Sequence, residues 1–343
     1  MRPQVINRSS TGYALVLAWP KTYCKQAGSW YDGLMRLVGF NQAYYYQVGH
    51  SAIVLIKTST GSCHYFDFGR YHSPLGYGRV RDAETDPELS IEHLVQAALP
   101  DRQDLLPVLE VLQQNSACHG SGVLMAACVP INFEAAYFVA KTYQQDSPLR
   151  YGPFIAGGTN CSRFVRKVLL AGTLSSKLWW QLQLPHHRYP TPLGLVKAAG
   201  GQNIHTIGGG FPVIKPVLPH SALHNILNPP LRPDNVPPSA QWLAGEGAGS
   251  WYDLSETQIK GEYRLQRFDA SGILESQTYH VGSYHFDSSK PYQIGYLSHA
   301  QRVLVLQNHQ RYYLFNISQR TTPIHTADMY LDGTYTGNPS YPQ

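Results

Sequence analysis

Cys161 opens the run CSRFVRKVLL, in which Phe164, Val165 and Val168 follow it at three, four and seven positions. That spacing is one face of a helix, so the thiol stands on the first turn of an amphipathic helix capped by Thr159 or Asn160. The unpaired amides and dipole of a helix N-terminus favour the thiolate, the form of cysteine that attacks carbonyl carbon. A cysteine on an apolar face is otherwise a small hydrophobe, so the chemistry depends on a proton acceptor. His50 is the candidate, at the start of a β-rich run, and Asp67 or His64 is the group that would orient its imidazole. Together a thiol, an imidazole and a polar third group are what nucleophilic acyl transfer requires.

The elements that must position these groups are legible around them. Residues 48–69 read as two strands joined through Thr58-Ser59-Thr60-Gly61, a short glycine-containing hairpin loop. Pairing Lys57 with Ser62 sets Ala52 opposite Asp67 and His50 opposite Gly69. His50 and Asp67 then share a face as diagonal neighbours, and His64 lies on the other. A slip of one residue would exchange Asp67 for His64 beside His50. The next stretch, residues 69–86, is rich in glycine, arginine and aromatic residues and reads as irregular with a short extended part. Its Arg70, Arg79 and Arg81 either read an anionic group on a substrate or pair with Asp82, Glu84 and Asp86, and the nearness of those acids favours pairing.

The N-C-S-x-F-V-x-x-V context of Cys161 resembles the D-C-S-G-L-V signature of NlpC-type papain-like cysteine hydrolases. The order is reversed, the histidine strand G-H-S-A-I-V preceding the cysteine helix. In this it is similar to the circularly permuted branch, with its lecithin-retinol acyltransferase-like proteins and bacterial relatives. The resemblance covers roughly residues 10–200. It implies Cys161 as nucleophile, His50 as base and Asp67 as third polar residue. It also implies a tyrosine hydroxyl near the oxyanion, for which Tyr151 in the Tyr151-Gly152-Pro153 turn is the candidate. Asn160 stands where the family often has aspartate, and Arg163 where it has glycine, a change expected to narrow the approach to the thiol. Asn160 and Arg70 complete the candidate substrate-binding set.

Elsewhere the pattern predicts a strand over 13–19, a short helix over 29–38 with Trp30, Leu34, Leu37 and Val38 inward, a helix over 104–114, a strand over 122–129 and a helix over 133–145 capped by Asn132. Local strand pairing with helices between is the α+β class. The expected architecture is a permuted papain-like domain over residues 1–210, its antiparallel sheet packed on the cysteine helix. A proline-rich linker or arm follows at 211–240. Residues 241–343 form a smaller antiparallel all-β domain, with hairpins around Asp269–Gly272 and Asn308–Gln310, expected to position substrate or bind a protein partner.

Composition limits the alternatives. Apolar residues at 43% with charged residues at 14% fit packed cores rather than disorder. A net charge of +5 spread without a basic run gives no reason to expect nucleic acid. The apolar run 14–19 is too short for a membrane span or an export signal. Five cysteines without paired spacing suit free thiols. Cytoplasm is therefore the default location, although a protein delivered to another cell would look the same. No metal or cofactor is expected: Cys63-His64, Cys118-His119 and His186-His187 lack ligand spacing, and neither Gly208–Gly210 nor Gly245, Gly247 and Gly249 have a phosphate loop's context. Two functions follow. One is a thiol hydrolase or acyltransferase acting on a peptide or acyl-bearing substrate, the other a non-catalytic scaffold of the same fold.

Overall fold

The computed structural model describes residues 10–26, 31–42, 44–95, 101–184, 190–200, 203–213, 229–245, 248–282, 286–296 and 298–317. Trp30, the His186-His187 pair and the outer parts of the domains expected at 1–210 and 241–343 lie outside them.

The N-terminal strands are β1 (Gly12–Trp19), β2 (Cys24–Lys25), β3 (Asn41–Gln42), β4 (Tyr45–Tyr46), β5 (His50–Lys57), β6 (Cys63–Gly69), β7 (Tyr77–Arg81), β8 (Leu124–Ile131), β9 (Leu149–Arg150) and β10 (His205–Ile207). Seven of them form one antiparallel sheet in the order β10-β8-β1-β5-β6-β7-β9, and β2-β4-β3 form a small second one. β1 and β5 are central, which is why GYALVLAW and SAIVLI are continuous apolar runs rather than alternating ones: both faces of the sheet are covered. Helix α1 (Asp32–Leu37) lies in the small subdomain, α2 (Arg102–Gln114) covers one face of the large sheet, and α3 (Phe133–Gln145), α4 (Cys161–Gly172), α5 (Ser176–Gln183) and α6 (Pro192–Gly200) belong to the other.

The α4 pattern is realised as read. Phe164, Val165, Val168 and Leu169 are buried with Ile53, Leu55, Phe66 and Phe68 of the sheet, each such side chain contributing about 2 kcal/mol of apolar burial. On the opposite face Leu105, Val108, Leu109 and Leu112 of α2 meet Leu15, Leu17, Val54 and Tyr65. The α1 expectation is corrected. The helix is six residues long, and Leu34, Leu37 and Val38 are exposed. Its buried residue is Asp32, whose carboxylate accepts from the Tyr46 hydroxyl at 2.6 Å. A helix this short has too little of an apolar face to dock, and here it is held by a polar contact.

The second sheet consists of β11 (Gln241–Leu243), β12 (Ser250–Glu256), β13 (Glu262–Phe268), β14 (Leu274–Val281), β15 (Gln293–Ile294), β16 (Arg302–Gln307) and β17 (Gln310–Asn316). Its order is β11-β12-β13-β14-β17-β16-β15, and Gln241 on β11 hydrogen-bonds Tyr292 O and Ile294 N beside β15, drawing the edges together into a barrel-like form. The turn between β16 and β17 consists of Asn308 and His309, both at positive φ, because Gln307 and Gln310 pair directly. The described part of the proline-rich segment packs on this sheet, with Val236 and Ala240 against Trp251 and Phe268.

A buried polar seam joins the two sheets. Arg267 of β13 donates to Asp86 at 3.0 Å, to Glu275 at 2.9 Å and to Glu88. Asp86 also receives both terminal nitrogens of Arg79 at 2.7 Å, and His72 Nε2 lies 2.8 Å from Ser250 Oγ. No helix among the described residues is long and apolar enough to cross a membrane.

Candidate active site

The hairpin register is the one the loop dictates: Lys57 N donates to Ser62 O, and Ala52 pairs with Asp67. His50 and Asp67 therefore share a face, with His50 Nε2 3.5 Å from Asp67 Oδ2. His64 sits opposite Leu55 on the other face, 3.0 Å from the Ser62 hydroxyl and against Phe133 and Tyr137, so it is separated from His50 by the sheet. Gly49, at φ +77°, turns the chain into β5; a side chain there would meet Trp19 O at 2.9 Å. His50 pairs across the strands with Trp19 and stacks on its indole at 5.9 Å.

Cys161 reaches this end of the sheet from α4. Asn160, in extended backbone, caps the helix by accepting from Arg163 N at 2.9 Å. The next residue, Ser162, meets Ser51 across a 2.9 Å hydroxyl contact, tying the start of the helix to β5 beside His50. Cys161 is 7% exposed, and its thiol is held below the ordinary cysteine value. Burial opposes that shift; hydrogen bonding and charge interaction with His50, the Ser51 amide and the Ser162 hydroxyl outweigh it. His50 behaves reciprocally. Burial alone would lower it, but the Asp67 carboxylate and the Cys161 thiol beside it raise it to about 9. Both shifts run in the direction that favours a thiolate paired with an imidazolium.

Asp67 is wholly buried and held well below the usual carboxylate range: burial opposes ionisation, and Arg81 and His50 overcome it. Arg81 donates to it through Nε at 3.0 Å and Nη2 at 2.6 Å, and Tyr65 adds its hydroxyl at 3.1 Å. Arg81 also donates to Ala117 O and lies 3.6 Å from the centroid of the Tyr71 ring. The expectation that Arg70, Arg79 and Arg81 pair with the acids next to them holds only for Arg79. Arg81 faces Asp67 because the two are directly opposed in β6 and β7, while Asp82 and Glu84 are taken by Lys141. Arg70 donates to Lys25 O and lies over the Tyr151 ring at 4.7 Å.

A cavity of about 410 Å³ opens on His50, with Arg70, Tyr71, His119 and Tyr151 in its walls and Cys24 and Lys25 on the side of the small subdomain. Tyr151 is stacked on Phe68 and bridges to Thr159, just ahead of the cysteine. Arg163 does not narrow the approach as expected. Its guanidinium turns back to the carbonyls of Gly152 and Pro153, at 3.2 and 3.1 Å, and fixes the loop before the helix.

Sequence reasoning singled out neither Ser51 and Ser162 nor Tyr65, and gave Arg81 a different partner. The alternation of β6 carried a signal for Tyr65, two residues before Asp67 on the same face. The Arg81 pairing needed the β6–β7 register, which no short loop sets. The Ser51–Ser162 contact is purely tertiary.

Residues 14–178 match the model of a family described as type VI secretion system effector TseH-like, and residues 240–317 match that of the DUF6695 C-terminal domain. Among solved structures, the chain is similar to the crystal structure of the type VI secretion system effector TseH. The two are 17% identical, with 47% of this chain and 76% of that one covered and a TM-score of 0.31. No curated protein matches the chain.

Proposed function

We propose that this chain is a thiol hydrolase of the permuted NlpC type, in which Cys161 is the nucleophile, His50 the base and then the acid, and Asp67 the group that orients the imidazole. The observation that carries this reading is the meeting of His50 and Asp67, from one hairpin, with Cys161 of the distant helix α4, His50 lining a cavity. The Cys161 sulfur attacks the carbonyl carbon of an amide or ester, and the charge forming on oxygen falls near the first-turn amides of α4. The imidazolium of His50 protonates the leaving amine or alcohol, giving an acyl-thioester. His50 then takes a proton from water, hydroxide adds to the thioester, and the thiolate leaves. Asp67, fixed by Arg81 and Tyr65, keeps the ring oriented through both steps.

The match of residues 14–178 to TseH-like effectors supports a second element of the proposal: the chain is delivered to another cell by type VI secretion and cleaves cell-wall-type peptides there. Incubation of the purified protein with peptidoglycan sacculi tests both the bond and the nucleophile. Release of soluble peptide fragments by the wild type and none by Cys161→Ala is expected; equal release by both overturns the assignment. An acyltransferase running the same first half-reaction would hand the acyl group to a second acceptor, which mass spectrometry of the products identifies. A non-catalytic scaffold predicts an ordinary, unreactive thiol at Cys161, against the lowered one described above.

A further inference from the structure

His119 is absent from the mechanism, yet its setting is that of a contact residue. It follows a short 3-10 turn at Ser116–Cys118 and adopts left-handed backbone, φ 51° and ψ 25°. Left-handed backbone is uncommon for a residue with a β-carbon, and such positions gather at functional sites. Its ring stacks on Tyr71 at 4.8 Å and 17°. Arg81 lies 3.6 Å from the centroid of the same ring, so the two separations leave one face of Tyr71 to each. The layers run His119, Tyr71, Arg81, and Arg81 grips Asp67. Gly69 makes room for this stack, since a side chain there would meet the Tyr71 ring at 2.1 Å.

His119 lines the same cavity as His50, and among the described residues its ring nitrogens have no hydrogen-bond partner. Burial, with Arg81 and His50 nearby, lowers it to about 3, so the imidazole stays neutral. A neutral imidazole donates at one nitrogen and accepts at the other. A peptide group offers the complementary pair, a carbonyl oxygen and an N–H.

We infer that His119 is a specificity-determining residue that hydrogen-bonds a peptide group of the substrate flanking the bond presented to Cys161. The inference rests on the hydrolase reading and narrows its substrate to one with a peptide unit on the acyl side.

The test compares two reagents that alkylate Cys161 by the same displacement of chloride: acetyl-alanyl-alanyl chloromethyl ketone, which carries peptide groups, and chloroacetone, which does not. The ratio of their second-order rate constants reads peptide recognition and cancels changes in thiol reactivity. In His119→Phe, which keeps the stack on Tyr71 and deletes both nitrogens, the ratio is expected to fall about three- to tenfold, the size of one or two lost neutral hydrogen bonds. His119→Asn tolerates the left-handed backbone and keeps a donor and an acceptor, so it restores part of the ratio and guards against a fold defect in the phenylalanine variant. Equal ratios in wild type and both variants overturn the inference, whether because the contact is not made or because no peptide subsite exists. Failure of the underlying hydrolase reading looks different: neither reagent then labels Cys161 faster than the other cysteines.

Discussion

The clusters around Asp67 and Asp86 are built from the same parts, and their histidines end in opposite states. Each aspartate is wholly buried, each receives two hydrogen bonds from an arginine, and each cluster contains a histidine. Beside Asp67, the carboxylate and the Cys161 thiol raise His50 to about 9. Near Asp86, burial comes first and the positive charges of Arg267 and Arg79 add to it, holding His72 well below its usual value. The first cluster borders a cavity of about 410 Å³ and contains an imidazole that can exchange a proton with the Cys161 thiol. The second is a structural seam between two sheets in which histidine serves as a neutral hydrogen-bonding side chain. Charge balance around the imidazole, more than the presence of Asp, Arg and His together, separates a reactive site from a fastening.

Removing the imidazole breaks the comparison most severely. His50→Ala deletes the proton acceptor and the charge that stabilises the thiolate, so alkylation of Cys161 at pH 6 is expected to fall roughly 10²–10⁴-fold, the range of a lost acid–base group. Site-resolved mass spectrometry provides the internal control. Burial raises Cys24, Cys118 and Cys128 to about 12 and Cys63 to about 11, so Cys161 should dominate labelling in the wild type and lose that lead in the variant. Labelling of Cys161 that is indifferent to His50 would remove the pair from the mechanism.

Substituting the two carboxylates sharpens the contrast. Asp67→Asn and Asp86→Asn each leave buried arginine charge uncompensated, and each should cost about 3–5 kcal/mol in denaturant unfolding. Only Asp67→Asn should also move the pH profile of Cys161 alkylation, because only Asp67 supports the imidazolium. If both profiles shift alike, the clusters are coupled through β7, which carries both Arg79 and Arg81, and the distinction drawn here fails.

The stability of the first cluster has two pH limits. Asp67 is depressed from 3.8, so its contribution is complete above that value and is lost as pH falls further. His50 is raised from 6.5 to about 9, so its contribution is complete below 6.5 and is lost as pH rises through about 9. Cys161 is lowered from 9.0, so its contribution grows as pH rises toward 9 and opposes the loss from His50. Unfolding measured against pH should therefore show a decline below about pH 4, and an alkaline decline between 6.5 and about 9 that emerges in Cys161→Ala and disappears when His50→Ala is added. An unchanged alkaline limb in that double variant would assign the decline to another group.

How much of this arrangement the sequence displays depends on how local each constraint is. The Lys57–Ser62 loop fixes the hairpin register, and with it the sharing of a face by His50 and Asp67, within twenty residues. The α4 face is written in Phe164, Val165 and Val168, and its start in Asn160. The second hairpin of the C-terminal sheet is equally local, through Asn308 and His309. What could not be read depends on pairings without a short loop or a periodic signal: Arg81 on Asp67, Arg267 on Asp86, and Ser51 on Ser162. The helix over 29–38 misled for a different reason. Its apolar residues are spaced for burial, but Leu34 and Leu37 face outward in a subdomain with little core of its own.

The smallest predicted effect concerns Asn160, where capping and charge can be separated. Asn160→Ala removes the acceptor of the Arg163 amide and should cost about 1 kcal/mol in stability. Loosening the first turn should also slow Cys161 alkylation modestly at every pH. Asn160→Asp keeps the cap, since aspartate is as good at that position, so stability should stay close to that of the wild type. Its negative charge next to the thiol disfavours a second anion, and the Cys161 profile should move to higher pH while its plateau is unchanged. Opposite readouts from the two substitutions would show that Asn160 serves the helix, with its neutrality serving the thiolate. A profile in Asn160→Asp that coincides with the wild type would mean that the His50 imidazolium alone sets the state of the sulfur.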